Sequence, residues 1–211
     1  SQFESVRSLV KDFISAHSKE SIVFTSGATD AVNLVAYSYG KKFVSKGDII
    51  LVSPIEHHSN LIPWKILAQE NRAQLKEIPL TKEFTVDMRR LRAMLNNKVK
   101  LIAINHVSNV TGGAQNIKGI CKEAGCFNIP VFVDGAQAMP HLNVNVEALG
   151  CAFYCFSGHK IFGPTGTGIL YVKPDYLNLL SPFKTGGQMV SEIGSKKIEW
   201  AQPPLKFEAG S

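Results

Sequence analysis

Four short segments of this chain place polar or charged side chains directly after apolar, strand-like runs. They are residues 25–30 (TSGATD), 56–60 (EHHSN), 134–137 (DGAQ) and 157–160 (SGHK). In α/β proteins, ligands bind where the strands of the sheet end. These four segments are therefore the candidates for chemistry.

Lys160 follows one apolar run and precedes the glycine-rich stretch 163–168. A lysine amine at such a place can form a Schiff base with a carbonyl compound if its surroundings lower its pKa. Ser157 and His159 would then supply donors to a phosphate group. The alternative is an ordinary anion-binding loop. A Walker A loop does not fit, because Lys160 precedes the glycines, and their spacing also misses the dinucleotide fingerprint.

Asp134 ends the apolar run 131–133, and Gln137 follows three residues later. An ionised aspartate held at a sheet edge can pair with a protonated pyridine nitrogen, which makes the ring a better electron sink. A helix-capping or metal-ligating aspartate would produce the same local pattern, so the segment alone leaves three interpretations open.

His57 belongs to the segment after the apolar run 48–53. An imidazole at this position could stack on a planar ring and relay protons. The alternatives are a capped helix start and, with His58, a pair of metal ligands. Adjacent histidines rarely bind one metal ion, and the H-E-x-x-H spacing is absent.

The segment 25–30 joins a predicted strand to a predicted helix. Gly27 permits tight backbone geometry, and the free N–H groups of the helix start favour an anion. Ser26 and Thr29 could add hydroxyl donors to a phosphate. The alternative is a Ser or Thr that caps the helix and binds no ligand.

Apolar periodicity predicts strands that alternate with helices, which is typical of a largely parallel sheet in an α/β fold. We expect the segment 181–211, rich in Gly, Pro and Lys, to be irregular. The predicted strands are 21–25, 48–53, 73–79, 99–105, 130–133, 152–157 and 168–172, and the predicted helices are 29–39, 61–71, 85–95 and 116–126.

The composition of the 211 residues, 45% hydrophobic and 19% charged, is typical of a soluble globular protein. The net charge of +6 comes from Lys and Arg that occur singly or in pairs, which does not favour nucleic-acid binding. No apolar run is long enough to span a membrane, and no signal peptide is evident. The four cysteines lack metal or disulfide spacing and indicate reduced thiols in a cytosol-like compartment.

Taken together, the motifs D-G-A-Q at 134–137, F-S-G-H-K at 156–160, E-H-H-S-N at 56–60 and H-V-S-N at 106–109 resemble those of class V aminotransferase-like pyridoxal-phosphate (PLP) enzymes. Within that family the chain is most similar to the group II cysteine desulfurases and selenocysteine lyases. The resemblance covers residues 24–210. It implies a PLP-dependent transferase of fold type I, whose large domain has a mostly parallel mixed sheet flanked by helices.

The resemblance also implies a role for each matching residue. Lys160 and His57 would be catalytic: Lys160 would hold PLP as a Schiff base, and His57 would stack on its ring and shuttle protons. Asp134 would pair with the ring nitrogen, and Gln137 would bind the phenolic oxygen. The remaining cofactor-binding positions are Ala28, Thr29, Ser157 and His159 at the phosphate, Asn109 beside the cofactor, and Ser211, which would reach the phosphate of a neighbouring subunit.

The implied activity is conversion of L-cysteine to L-alanine, with the sulfur passed to an enzyme persulfide for iron–sulfur cluster or other sulfur-compound biosynthesis. The resemblance implies that a cytoplasmic homodimer carries out this reaction and passes the sulfur to an acceptor protein. It implies no metal, no membrane association and no nucleic-acid partner. The alternatives are another class V activity, such as a transaminase, an epimerase or a selenocysteine lyase, and a PLP-binding fragment without activity.

The chain departs from the family pattern in two ways. Ala28 stands where many relatives have Thr, so that a side-chain donor to the phosphate is lost. None of the four cysteines matches the sulfur-accepting cysteine, and the substrate-binding arginine has no counterpart either. We therefore expect residues 1–211 to be the PLP-binding large domain, without the N-terminal segment and the C-terminal small domain.

Overall fold

The computed structural model describes residues 2–193 and 197–210. The strands are β1 (Ile22–Thr25), β2 (Ile49–Val52), β3 (Gln74–Glu77), β4 (Val99–Asn105), β5 (Val131–Asp134), β6 (Phe153–Ser157), β7 (Gly168–Val172), β8 (Val190–Ile193) and β9 (Ile198–Trp200). The helices are α1 (Gln2–Phe13), α2 (Ala28–Val35), α3 (Lys41–Phe43), α4 (Ile62–Glu70), α5 (Met88–Met94), α6 (Ile117–Gly125), α7 (Val146–Leu149) and α8 (Pro174–Leu177).

Seven strands form one sheet in the order β1-β7-β6-β5-β4-β2-β3. Strands β3, β2, β4, β5 and β6 are parallel, whereas β7 runs antiparallel to both β6 and β1. Because β1 and β6 both oppose β7, the strands β1, β2, β4, β5 and β6 all end at the same edge of the sheet. This arrangement confirms the predicted mostly parallel α/β sheet.

The central strands are buried on both faces, which explains their near-continuous apolar sequences. Successive residues enter opposite apolar clusters: Ile50 packs on one side of the sheet with Leu67 of α4, and Leu51 packs on the other with Leu91 of α5. This alternation is the two-residue period of a strand. Helices on both faces therefore cover the sheet and fix its edge.

Most of the predicted elements agree with the structure to within a few residues, and three differences have local causes. The predicted helix 85–95 begins only at Met88, because the Asp87 side chain accepts hydrogen bonds from the N–H groups of Arg89 and Arg90 and caps the helix there. The predicted helix 29–39 is regular only to Val35 and continues as a π-helix, Ala36–Gly40.

The third difference is a hairpin in the segment predicted to be irregular. Strands β8 and β9 pair antiparallel, but their side chains are mostly exposed. Without a buried face, the sequence of this hairpin has no apolar alternation that would reveal it. Among the helices of the described residues, none has the length and the apolar character that crossing a membrane requires.

Arg7 of α1 is fully buried and joins the two ends of the described chain. Its Nη1 and Nη2 atoms each donate to the Glu208 carboxylate at 2.8 Å, and Nη1 also donates to the Ile22 carbonyl at 2.6 Å. Glu208 in turn accepts from the Phe24 N–H at 2.7 Å, and the guanidinium lies 4.4 Å from the centre of the Phe24 ring. This pair fixes α1 and the segment 205–210 against the edge strand β1.

We expect Arg7→Ala to lower the free energy of unfolding by about 3–5 kcal/mol, because it leaves the Glu208 carboxylate without its buried partner. Denaturant unfolding of the purified chain measures this loss. Lys11→Ala is the matched control, since Lys11 pairs with the exposed Asp12 on the same helix and should cost less than about 1 kcal/mol. Equal losses in the two variants would contradict the assigned role of Arg7.

Candidate active site

A cavity of about 250 Å³ opens at the edge where the parallel strands end. Nine of the ten residues predicted to bind the cofactor line it, and the tenth, Ser211, lies outside the described residues. The lining comprises Ala28, Thr29, His57, Ser59, Asn105, Val107, Asn109, Asp134, Ala136, Gln137, Ser157, His159 and Lys160. Residues distant in sequence thus meet at one place, although their individual roles remain predictions.

One end of the cavity is built by the start of α2 and the end of β6. Gly27 is the N-cap of α2 with φ 153°, and no side chain caps this helix, so the Ser or Thr cap considered from the sequence does not form. The Ala28 N–H instead donates to Ser157 Oγ at 2.9 Å. A Cβ at Gly168 would lie 2.4 Å from the Gly27 Cα, so this close approach requires glycine. Backbone N–H groups and hydroxyls gathered here suit an anion.

Asp134 forms the buried acidic end of the cavity, at the last position of β5. Its Oδ1 accepts a hydrogen bond from the Ala136 N–H at 2.9 Å. Burial raises the pKa of Asp134, and the hydrogen bond from Ala136 and the proximity of Lys160 and His57 act in the opposite direction. A cationic ligand group would likewise stabilise the ionised carboxylate.

Lys160 also lines the cavity and belongs to the short 3₁₀-helix Gly158–Ile161. The loop that carries it is closed by two backbone bonds: the Gly158 N–H donates to Thr167 O at 2.8 Å, and the Gly163 N–H donates to Gly158 O at 2.9 Å. Within residues 2–193 and 197–210, the Lys160 amine has no hydrogen-bond or ion-pair partner. It is thus a partly buried amine that is available to a ligand.

His57 is held by its own loop, where its ring caps the 3₁₀-helix His58–Asn60. Its Nδ1 atom accepts from the Ser59 N–H at 3.2 Å and lies 2.7 Å from Ser59 Oγ. In the neutral ring this leaves the proton on Nε2. The capped helix start considered from the sequence is therefore formed, and it coexists with the position of His57 in the cavity wall.

Four lining residues were not predicted from the sequence: Ser59, Asn105, Val107 and Ala136. Asn105 is the most informative, because it ends β4 in register with Asp134 and its buried Oδ1 has no partner in the described part of the chain. The rule that selected Asp134, a polar residue ending an apolar strand, would also have found Asn105. The described residues hold no group of three or more His, Cys, Asp or Glu side chains arranged to bind a metal.

The chemistry of these groups fits PLP. The cofactor carries a ring nitrogen that a buried acid can pair with, an aldehyde that an amine can attack, and a phosphate that N–H and hydroxyl donors can bind. Asp134, Lys160 and the start of α2 with Ser157 supply these three kinds of group in one cavity. The planar imidazole of His57 adds a surface on which the cofactor ring can stack.

Comparisons with known proteins agree with this fit. Residues 1–211 match the aminotransferase class-V family. Over the whole chain, the sequence is 44% identical to proteins named cysteine desulfurase from Yersinia pestis and Dickeya dadantii. Among solved structures, it superposes on the cysteine desulfurase CsdA from Escherichia coli with a TM-score of 0.96 at 37% identity, and on a cysteine desulfurase from Thermococcus onnurineus with a TM-score of 0.93 at 36% identity.

These alignments cover 99–100% of this chain but 52% of each of those four proteins. The chain therefore spans about half the length of the curated relatives it matches. Its sheet is that of the PLP-dependent enzymes of fold type I, as the resemblance implied. The chain belongs to the aminotransferase class-V family of pyridoxal-phosphate-dependent enzymes.

Proposed function

We propose that these 211 residues are the cofactor-binding large domain of a PLP-dependent cysteine desulfurase, which converts L-cysteine to L-alanine and passes the sulfur to a cysteine of the enzyme. The observation that carries the proposal is the single cavity in which Lys160, Asp134 and His57 meet the start of α2. The names of the relatives, at 44% identity over the whole chain, favour this activity over others of the family.

In this proposal, PLP supplies an electron sink that stabilises negative charge at the α-carbon of a bound amino acid. Asp134 holds the ring nitrogen, Gln137 the phenolic oxygen, and Lys160 the aldehyde carbon. The phosphate is bound by Ala28 and Thr29 together with Ser157, His159 and, from a neighbouring subunit, Ser211. Asn109 contacts cofactor and substrate, and His57 packs on the ring and moves protons at its Nε2 atom.

The sulfur acceptor must be a cysteine other than the four in this chain. Burial raises the pKa of the Cys121 thiol to about 12 and raises those of Cys151 and Cys155 well above the ordinary value, which keeps these thiols protonated. Cys126 is exposed but does not line the cavity. The proposal therefore requires a nucleophilic cysteine outside these 211 residues.

The proposed enzyme is a cytoplasmic homodimer. It passes the sulfur to an acceptor protein, for use in iron–sulfur cluster or other sulfur-compound biosynthesis. The free thiols, of which Cys126 is exposed and the other three are buried, are compatible with a cytosolic compartment.

Turnover by the full gene product, loaded with PLP and given L-cysteine, tests the activity. We expect alanine and sulfide in equal amounts when a thiol reductant is present to release the sulfur. Keto acid in place of alanine would identify a transaminase, and a racemised substrate an epimerase. Faster turnover of L-selenocysteine would favour a selenocysteine lyase, and bound cofactor without any turnover would favour an inactive PLP-binding protein.

Lys160→Ala should abolish covalent attachment of the cofactor. After incubation with PLP and reduction with borohydride, we expect one pyridoxyl group on the parent chain and none on the variant, as read by intact mass. Lys65→Ala, which removes an exposed lysine on α4, is the control and should keep the adduct. An adduct that persists in Lys160→Ala would refute the assignment of this lysine.

Asp134→Asn should weaken PLP binding by roughly 10–100-fold, the effect expected when a hydrogen bond between charged groups becomes neutral. Burial raises the pKa of Asp134, so the affinity of the parent for PLP should fall as the pH drops through that raised value and the carboxylate is protonated. The affinity of Asp134→Asn should not show this fall, because the amide does not titrate. Titration of the cofactor absorbance at a series of pH values, from the ordinary aspartate pKa of about 4 up to neutral pH, measures both. Asp87→Asn, a remote helix cap, is the matched control, and a loss of equal size there would contradict the role of Asp134.

A further inference from the structure

Glu56, the residue before His57, does not line the cavity, and its side chain contacts the end of β4. Its Oε1 accepts from the Ser53 hydroxyl, from the Asn105 N–H at 2.9 Å and from Asn105 Nδ2 at 2.9 Å. Its Oε2 accepts from Asn60 Nδ2 at 2.7 Å. The Asn105 N–H and the amide groups of Asn105 and Asn60 can only donate, so both oxygens of Glu56 serve them as acceptors, whereas the Ser53 hydroxyl can donate or accept.

These bonds pin the loop 54–60 at both ends. Asn105 Nδ2 also donates to the Ile55 carbonyl at 3.0 Å, which ties the start of the loop to β4. At the other end, Asn60 Oδ1 accepts from Nε1 of Trp64, a fully buried residue of α4, at 3.0 Å. His57 and His58 are the exposed residues between these two anchors, and of the two only His57 lines the cavity, so that its position there depends on the anchors.

We propose that Glu56 is a positioning residue, whose buried carboxylate joins the loop 54–60 to the end of β4 and thereby fixes the His57 imidazole in the cavity wall. This inference rests on the proposed function, in which His57 packs on the cofactor ring. Glu56 itself does not line the cavity and acts through its neighbour.

The hydrogen-bond pattern makes glutamine a poor replacement at this position, although it has almost the same size. The Gln Nε2 group would face either the Asn60 amide or the Asn105 donors, and each orientation brings two donors together. A buried donor that loses its acceptor costs its full desolvation. The loop can relieve this contact only by moving, and His57 moves with it.

The test compares Glu56→Gln with the parent in the PLP-loaded full gene product. The readouts are the borohydride-trapped adduct on Lys160 and the circular dichroism of the bound cofactor in the visible range, which reports how rigidly the ring is held. We expect a full adduct in Glu56→Gln and a dichroism reduced at least two-fold, toward that of His57→Ala. Adding Glu56→Gln to His57→Ala should cause no further loss, because coupled residues are not additive.

Glu70→Gln is the matched control, since Glu70 is an exposed glutamate of α4 that pairs with Lys41. It should keep the dichroism of the parent. Ser53→Ala removes a single donor to Glu56 and should give a smaller loss in the same direction. This second variant decides the question by the same criteria if Glu56→Gln does not fold.

Two results would overturn the inference. One is a Glu56→Gln variant with the dichroism of the parent, and the other is an equal loss of dichroism when Glu56→Gln is added to the parent and to His57→Ala. Either result, with the adduct intact, would leave the proposed function standing. A parent protein that forms no adduct would instead refute the proposed function, and the role of Glu56 with it.

Discussion

The shared direction of the strands in the sheet is the constraint on which the candidate site depends. Strands β1, β2, β4, β5 and β6 end at one edge, so the residues that follow them are brought together whatever their separation in sequence. Only β7 runs the other way, and its first residue, Gly168, pairs with both Thr25 and Ser157. The antiparallel strand therefore lies between the ends of β1 and β6 without lining the cavity, and the polar groups of the cavity come from the ends of the other strands.

Two buried carboxylates near the cavity are stabilised in different ways. Asp134 has one backbone donor and relies on nearby positive charges, whereas Glu56 is enclosed by donors from three residues. Burial still raises the pKa of Glu56 to about 7, and the charge of Asp134 acts in the same direction. One acid is thus left available to a ligand, and the other is used within the protein to hold a loop.

The residues that could be predicted from sequence are those whose burial or local motif leaves a clear pattern. The continuous apolar runs of β2 and β4 predicted their positions almost to the residue, and the positions of Asp134 and Lys160 at the cavity followed from their places after such runs. The exposed hairpin β8–β9 leaves no such pattern and was missed. Glu56 lay within a recognised motif, but its proposed role rests on contacts with Asn105, 49 residues away in sequence, which only the fold brings close.

The ion pair between Arg7 and Glu208 brings together two segments separated by 201 positions in sequence. Releasing either segment from the sheet would leave the buried charge of the other without its partner, which is costly. We therefore expect α1 and the segment 205–210 to detach from β1 together, as one cooperative unit of local unfolding.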